Sequence, residues 1–264
     1  MVANLGLPIL DISKATKTDQ KLELLDQLHN ALFNLLPTLF DQPPHTKASL
    51  PKLKSPHFLG YSGYAEETTL GVKDLREQFD LATELLVIHD ASAHFAENGV
   101  MYHDALQKLP YRFVHLVEEA FGIPVGTFDA FFPRHAGMHL CPQHHNIHGQ
   151  GVGAYKDSSG WLTLLYQVGI EGHEVLDTTS ARIAGPSIID TLVVKFGNAF
   201  EAATEGAVKA TTHLVRTPSS TSNPLYSIPF FQGLPLDLSV FEIRTYIPRR
   251  DVHADNSVSS FLDF

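Results

Sequence analysis

The chain has 264 residues and a mass of 29.1 kDa, the upper end of a single-domain length. With 44% hydrophobic and 18% charged residues it has the composition of a globular protein with a real core, which excludes disorder, collagen and coiled coil. Nineteen basic residues against 29 acidic ones give a net charge of −10, so the electrostatic footprint of a nucleic-acid or anionic-membrane binder is missing. The single cysteine, Cys141, rules out an internal disulfide and a thiolate metal site, as suits a reducing compartment. No apolar run is long enough to span a membrane. The N-terminal MVANLGLPILDIS has neither the basic start nor the apolar stretch of a signal peptide. The expectation is a soluble, cytoplasmic protein that binds no nucleic acid and no membrane.

In chain order, LPILDI (7–12) reads as a short strand. Leu22, Leu25, Leu28, Leu32, Leu35 and Leu36 fall at helical spacing, predicting a helix over 18–36 that Pro37 ends. Residues 41–57, rich in proline and lysine, read as a loop. Helices are predicted over 74–95 and 102–121, the second stopped by Gly122 and Pro124. Beyond Phe131 the texture changes. WLTLLYQ (161–167), IIDTLVVKF (188–196), THLVR (212–216), LYSIPFF (225–231) and VFEIRTYI (240–247) are short runs of β-branched and aromatic residues punctuated by Gly, Pro and Ser, the pattern of a sandwich or jelly roll. Helices first and strands second argue for an α+β chain with one core. The expected organisation is a single domain over 1–264: mainly helical support with an opening strand over 1–130, a jelly-roll core over 131–250, and a tail over 251–264.

Two patterns are set aside. Gly149-Gln-Gly-Val-Gly-Ala154 fits a dinucleotide fingerprint by letter, but that motif needs a strand before it and a helix after it, and HHNIH and YKDSSGW flank it instead. His135, His139, His144, His145 and His148 are dense, yet Gly137, Pro142 and Gly149 place most of them in a loop. Solvated histidines are the plainer reading for His144, His145 and His148.

Four segments in order resemble the isopenicillin-N-synthase-like family of non-haem iron oxygenases, most of which use 2-oxoglutarate. LPILDIS (7–13) is similar to the family's opening strand, and GYSGYAEETTLGVKDLREQFD (60–80) to its middle segment, a turn leading into a helix. GVGAYKDSSGWLTLLYQ (151–167) resembles the metal-binding strand. The stretch from TLVVKF to LYSIPFF (191–231) resembles the part holding the second histidine and the cosubstrate motif. The resemblance implies a double-stranded β-helix, or jelly roll, with supporting helices.

The family's chemistry needs two histidines and a carboxylate on one face of Fe(II). The matching positions here read Tyr155, Asp157 and His213, so one histidine is replaced by tyrosine. The Arg and Ser that hold a cosubstrate carboxylate read Leu225 and Ser227, and Leu225 cannot offer the bidentate fork of an arginine. The strand whose Asn and Tyr touch the cosubstrate reads His139-Leu-Cys141. These departures, clustered on one cavity, lead to the expectation that Fe(II)/2-oxoglutarate chemistry has been lost and that no cofactor is used.

Asp157 and His213 would then form a general acid/base pair, Tyr155 would donate to a developing oxyanion, and His139 would be a second base. Leu225, Ser227, Cys141 and Phe196 are the expected substrate contacts. The substrate would be a small, largely apolar metabolite of specialised metabolism, undergoing isomerisation, elimination, dehydration or cyclisation. Two alternatives stand beside this reading. One is an iron oxygenase working without 2-oxoglutarate, its metal held by Asp157 and His213 with Tyr155 or His139. The other is a non-catalytic binder, as a homo-oligomer or in a complex with an active homologue.

Overall fold

The computed structural model describes residues 36–55, 59–82, 109–132, 138–140, 143–145, 150–158, 160–168, 172–177, 179–188, 191–216, 225–234 and 238–247. The predicted strand at 7–12 and all but the end of the predicted helix at 18–36 lie outside these residues, as do Cys141 and the tail. Leu36–Phe40 (α1) is helical and carries buried Leu36 and Phe40. A one-turn helix follows at Pro44–Lys47 (α2), started by proline where a missing N–H costs nothing.

Strands β1 (Gly60–Ser62), β2 (Thr68–Thr69), β3 (Val72–Lys73) and β4 (Arg76–Ala82) then occupy the segment expected to turn into a helix. REQFDLA carries helical periodicity, but β4 pairs antiparallel with β1 and with two later strands, so tertiary pairing outweighs the local pattern. Its Glu77 is buried and held by Lys47 at 2.7 Å and by the Tyr61 hydroxyl at 2.5 Å. The predicted helix at 102–121 is present over 109–121 (α3). It ends as expected at Gly122, whose φ of +70° favours glycine.

Nine further strands follow: β5 (Met138–Leu140), β6 (Gln143–His145), β7 (Gln150–Tyr155), β8 (Gly160–Val168), β9 (His173–Leu176), β10 (Arg182–Ala184), β11 (Val193–Phe196), β12 (His213–Arg216) and β13 (Leu225–Gly233). Helix α4 (Asn198–Ala203) lies between β11 and β12. The glycine-rich segment at 149–154 runs as strand β7 and opens no helix, as its rejection as a nucleotide site requires. The predicted strand at 240–247 is instead a helix, α5 (Val240–Arg244). Ser239 caps it by accepting from the Glu242 N–H, while the Glu242 carboxylate accepts from the Ser239 N–H. This capping box was readable as S-x-x-E.

Among the described residues β2 and β3 form a small antiparallel ribbon, and the other strands form two facing antiparallel sheets. The large one has the order β1-β4-β5-β13-β8-β11, with β6 beside β13 and β4, and the small one β10-β9-β12-β7. Alternation along the large sheet separates two environments. Leu162, Leu164 and Tyr166 of β8, with Ile228 and Phe230 of β13, turn outward to a core shared with α1, α3 and α4. Trp161 packs edge-on against Phe200, with ring centroids 4.6 Å apart. The opposite face of the same strands looks across at the small sheet and encloses a cavity.

The turn after α3 is fixed by Glu118, fully buried, whose carboxylate accepts from the backbone N–H groups of Gly126 and Phe128, both at 2.6 Å. Glu118→Ala strands one buried and one half-buried donor and should cost about 1–3 kcal/mol of unfolding free energy in urea titrations. A loss below about 0.5 kcal/mol would mean the turn holds without it.

Candidate active site

The cavity lies between the two sheets, and its ten lining residues come from both. Val152 and Tyr155 of β7, His173 of β9, and His213 and Val215 of β12 face Leu165 and Gln167 of β8, Lys195 of β11, and Ser227 and Pro229 of β13. Its free volume is about 20 Å³, room for a water or so, and it opens to solvent on one side. A bulge brings Val152 and Tyr155, three residues apart, to the same face. His213 pairs with Tyr155 and Val215 with Val152, so β7 carries one residue more than β12 over this stretch.

Asp157 follows the end of β7 and is buried. Its carbonyl accepts from the Asn198 N–H at the start of α4 at 2.9 Å, and Thr163 donates to Oδ2 at 2.8 Å. Oδ1 is buried without a hydrogen bond among the described residues and lies 3.5 Å from His213 Nε2. His213 Nδ1 donates to the Thr211 carbonyl at 3.0 Å, which leaves the Nε2 lone pair directed inward. The Tyr155 ring lies against the imidazole, with centroids 4.3 Å apart. Asp157, His213 and Tyr155, singled out by the resemblance to the oxygenase family's ligand positions, thus converge on one point.

Lys195 completes the cluster, and the sequence reading missed it. Its Nζ lies 2.7 Å from His213 Nε2 and 3.3 Å from Asp157 Oδ2, with the side chain only 4% exposed. Burial lowers its pKa below that of an ordinary lysine, and the Asp157 carboxylate opposes the shift. His213 is held down to about 4, by burial first and then by the Lys195 charge. The available signal was a lone lysine in the apolar run IIDTLVVKF, at inward parity between Val194 and Phe196.

Phe196 itself requires a correction. Because Lys195 takes the inward position, strand alternation sends Phe196 to the other side. There it stacks on Phe200 at 4.6 Å and meets Phe113 at 6.1 Å, in the core and not in the cavity. Ser227 does line the cavity. Leu225 pairs with His145 across β13 and β6, and His139 with Phe231 across β13 and β5; their side chains lie outside the described residues. Lys156 points away, pairing with Glu201 at 2.9 Å.

His173 was also missed. It is 4% exposed, lines the cavity, and has no hydrogen-bond partner on either ring nitrogen among the described residues. A Cβ on Gly185 would come within 2.5 Å of its Nδ1, so glycine there is what gives the ring its room.

The two-sheet barrel and its carboxylate–imidazole cluster agree with comparisons against known proteins. Residues 128–233 match the 2OG-Fe(II) oxygenase superfamily, and residues 26–99 match the family described as non-haem dioxygenase in morphine synthesis N-terminal. A 2-oxoglutarate-dependent dioxygenase, frbJ, of Dothideomycetidae sp. (strain 11243) is 30% identical over 88% of this chain and 75% of its own. A 2-oxoglutarate-dependent dioxygenase of Gibberella zeae is 25% identical over 92% of this chain and 78% of its own. The chain belongs to the 2OG-Fe(II) oxygenase superfamily.

Its fold is that of a full-length Neurospora crassa protein solved in complex with alpha-KG, with a TM-score of 0.70 and 21% identity over 86% of this chain and 85% of that one. The rice dioxygenase for auxin oxidation superposes with a TM-score of 0.63 and 20% identity over 89% and 73%. The expected α+β jelly roll is therefore the fold. The expectation that no cofactor is used, with iron lacking 2-oxoglutarate as its alternative, is overturned. Superfamily membership and relatives named as 2-oxoglutarate-dependent dioxygenases point to Fe(II) and 2-oxoglutarate. That expectation weighed the lost histidine and arginine without sight of Lys195. Among the described residues, no helix is long and apolar enough to cross a membrane.

His173 also gives the apoprotein a pH dependence. Burial, and secondarily the charge of Lys195, lower its pKa to about 3, whereas the unfolded chain protonates near 6.5. Below about pH 6.5 the unfolded state binds the extra proton, so stability present above that pH is lost as pH falls. Urea midpoints should drop between pH 6.5 and 4, this residue contributing roughly 1 kcal/mol per pH unit. His173→Leu should flatten that part of the slope. An unchanged slope in the variant would remove His173 as its source.

Proposed function

We propose that this protein is an Fe(II)- and 2-oxoglutarate-dependent oxygenase acting on a small, largely apolar metabolite, with Asp157 and His213 holding the metal. The observation that carries the reading is the unpartnered, buried Asp157 Oδ1 facing the inward lone pair of His213 at 3.5 Å. A buried carboxylate oxygen without a donor is costly, and a cation between it and the imidazole removes the cost. The donor set fits the group on chemical grounds as well. Thr163 fixes the second carboxylate oxygen, and the Thr211 carbonyl fixes the imidazole tautomer, the kind of support that metal ligands receive from their neighbours. When bound, iron with 2-oxoglutarate supplies the oxidising power for attack on an unactivated C–H bond.

The chain's own residues set what reaches that point. Val152, Leu165, Val215 and Pro229 make the wall apolar, and Tyr155, Gln167 and Ser227 offer a few oriented polar groups. His173, neutral at pH 7, presents a ring nitrogen with an unspent donor or acceptor to a polar atom of the substrate or cosubstrate. Purified protein supplied with Fe(II), ascorbate and O₂ should release succinate from 2-oxoglutarate. Asp157→Asn and His213→Ala should each lower the rate at least about 100-fold, beyond the usual effect of a supporting residue. Lys156→Ala should leave it near normal, since its ion pair with Glu201 is partly exposed. No succinate above a control lacking the protein, across a panel of apolar metabolites, would count against the reading.

The Lys195 contacts favour a second reading, in which Lys195, Asp157 and His213 move a proton on the substrate while Tyr155 stabilises the developing charge, giving isomerisation, elimination, dehydration or cyclisation. Product mass separates the two. Oxidation adds oxygen or removes hydrogen with O₂ consumed, whereas the proton-transfer reading gives an isomer or a loss of water with O₂ untouched.

A further inference from the structure

From the placement of its side chain we infer that Lys195 is the third protein ligand of the metal, completing with Asp157 and His213 a facial set of one amine, one carboxylate and one imidazole. This rests on the iron reading above and adds to it the donor that replaces the missing histidine. Ligands on one face of an octahedral ion bound at about 2.1 Å lie about 3.0 Å from one another. The three side chains form a triangle of about that size, closed through both oxygens of the carboxylate: 2.7 Å from Lys195 Nζ to His213 Nε2, 3.3 Å from Nζ to Asp157 Oδ2, and 3.5 Å from Asp157 Oδ1 to Nε2.

The three come from three separate strand regions, β11, the end of β7 and β12, so the triangle is built by the barrel and not by a local turn. Tyr155, at the position of the lost histidine, is the other candidate. Its ring lies against the face of the His213 imidazole, whereas Lys195 approaches the Nε2 lone pair. Metal binding is then an exchange. One N–metal bond forms, one N–H bond of the Lys195 ammonium breaks, and the proton leaves to solvent, as it does when thiol ligands bind.

The test is anaerobic titration of the full chain with Co(II), followed by its visible d–d absorption, and with Fe(II), followed by calorimetry. Wild type, Lys195→Met, Lys195→His and Tyr155→Phe are compared, each checked for folding by circular dichroism. The inference expects one ion per chain, affinity lowered about 100-fold or more in Lys195→Met, recovery to within about 10-fold in Lys195→His, and little change in Tyr155→Phe. The cobalt bands should shift in Lys195→His and stay in place in Tyr155→Phe. Tighter binding in Lys195→Met than in wild type would overturn the inference, because the lysine would then be an ammonium competing for the seat. That result leaves the iron reading standing. Loss in Tyr155→Phe with none in Lys195→Met would assign the third position to the phenol. No ion bound by any of the four folded proteins would instead sink the iron reading itself.

Discussion

A strand buried on both faces, β8, sets the terms for the rest of the molecule. Every side chain from Trp161 to Tyr166 is buried, so the strand belongs to two interiors at once. Leu162, Leu164 and Tyr166 anchor the aromatic core beneath the helices, while Thr163, Leu165 and Gln167 give the opposite interior its polar support and part of its wall. The period of two carries this division to β11 and β13, where Lys195, Ser227 and Pro229 share the cavity face while Phe196, Ile228 and Phe230 belong to the core. Core and site are two sides of one sheet.

The site is costly to assemble and is therefore informative. Withdrawing an ammonium and a carboxylate from water costs several kcal/mol per ion, and their attraction returns this only when every remaining lone pair and proton is satisfied. Here Thr163 satisfies one carboxylate oxygen while the other is left without a hydrogen bond, and two nitrogens of His173 are also unspent. These are the groups that the proposed metal and its cosubstrate would satisfy.

Much of this was legible in the residues. The resemblance to the family's metal-binding segments picked out Tyr155, Asp157 and His213, three of the converging groups, and the runs at 161–167, 212–216 and 225–231 gave strands of the barrel. What was not legible depends on partners remote in sequence. REQFDLATELLV has the apolar periodicity of a helix, and β4 exists because β1, β5 and β6 pair with it. Lys195 hides in a largely apolar run that forms an edge strand of the large sheet, where a lysine reads as a solvated guard of the edge and not as an inward group. The helix at 240–244 was misread from its β-branched and aromatic content, although its capping box was written in Ser239 and Glu242. The cofactor expectation was overturned by the superfamily match and the named relatives, having counted only the donors lost at aligned positions.

The bulge in β7 has a consequence for how this barrel tolerates change. An extra residue sits between Val152 and Tyr155, and the register shifts again between Val152 and Gln150, so six residues of β7 run against four of β12. A regular pleat would put Val152 and Tyr155 on opposite faces, and the extra residue is what lets both look into the cavity beside Val215 and His213. Removing one residue from 153–154 would set Tyr155 two places from Val152, still opposite His213 and still on the cavity face. The irregularity is therefore slack in the strand, the one stretch of β7 whose length can change by a residue without turning Tyr155 away from the site.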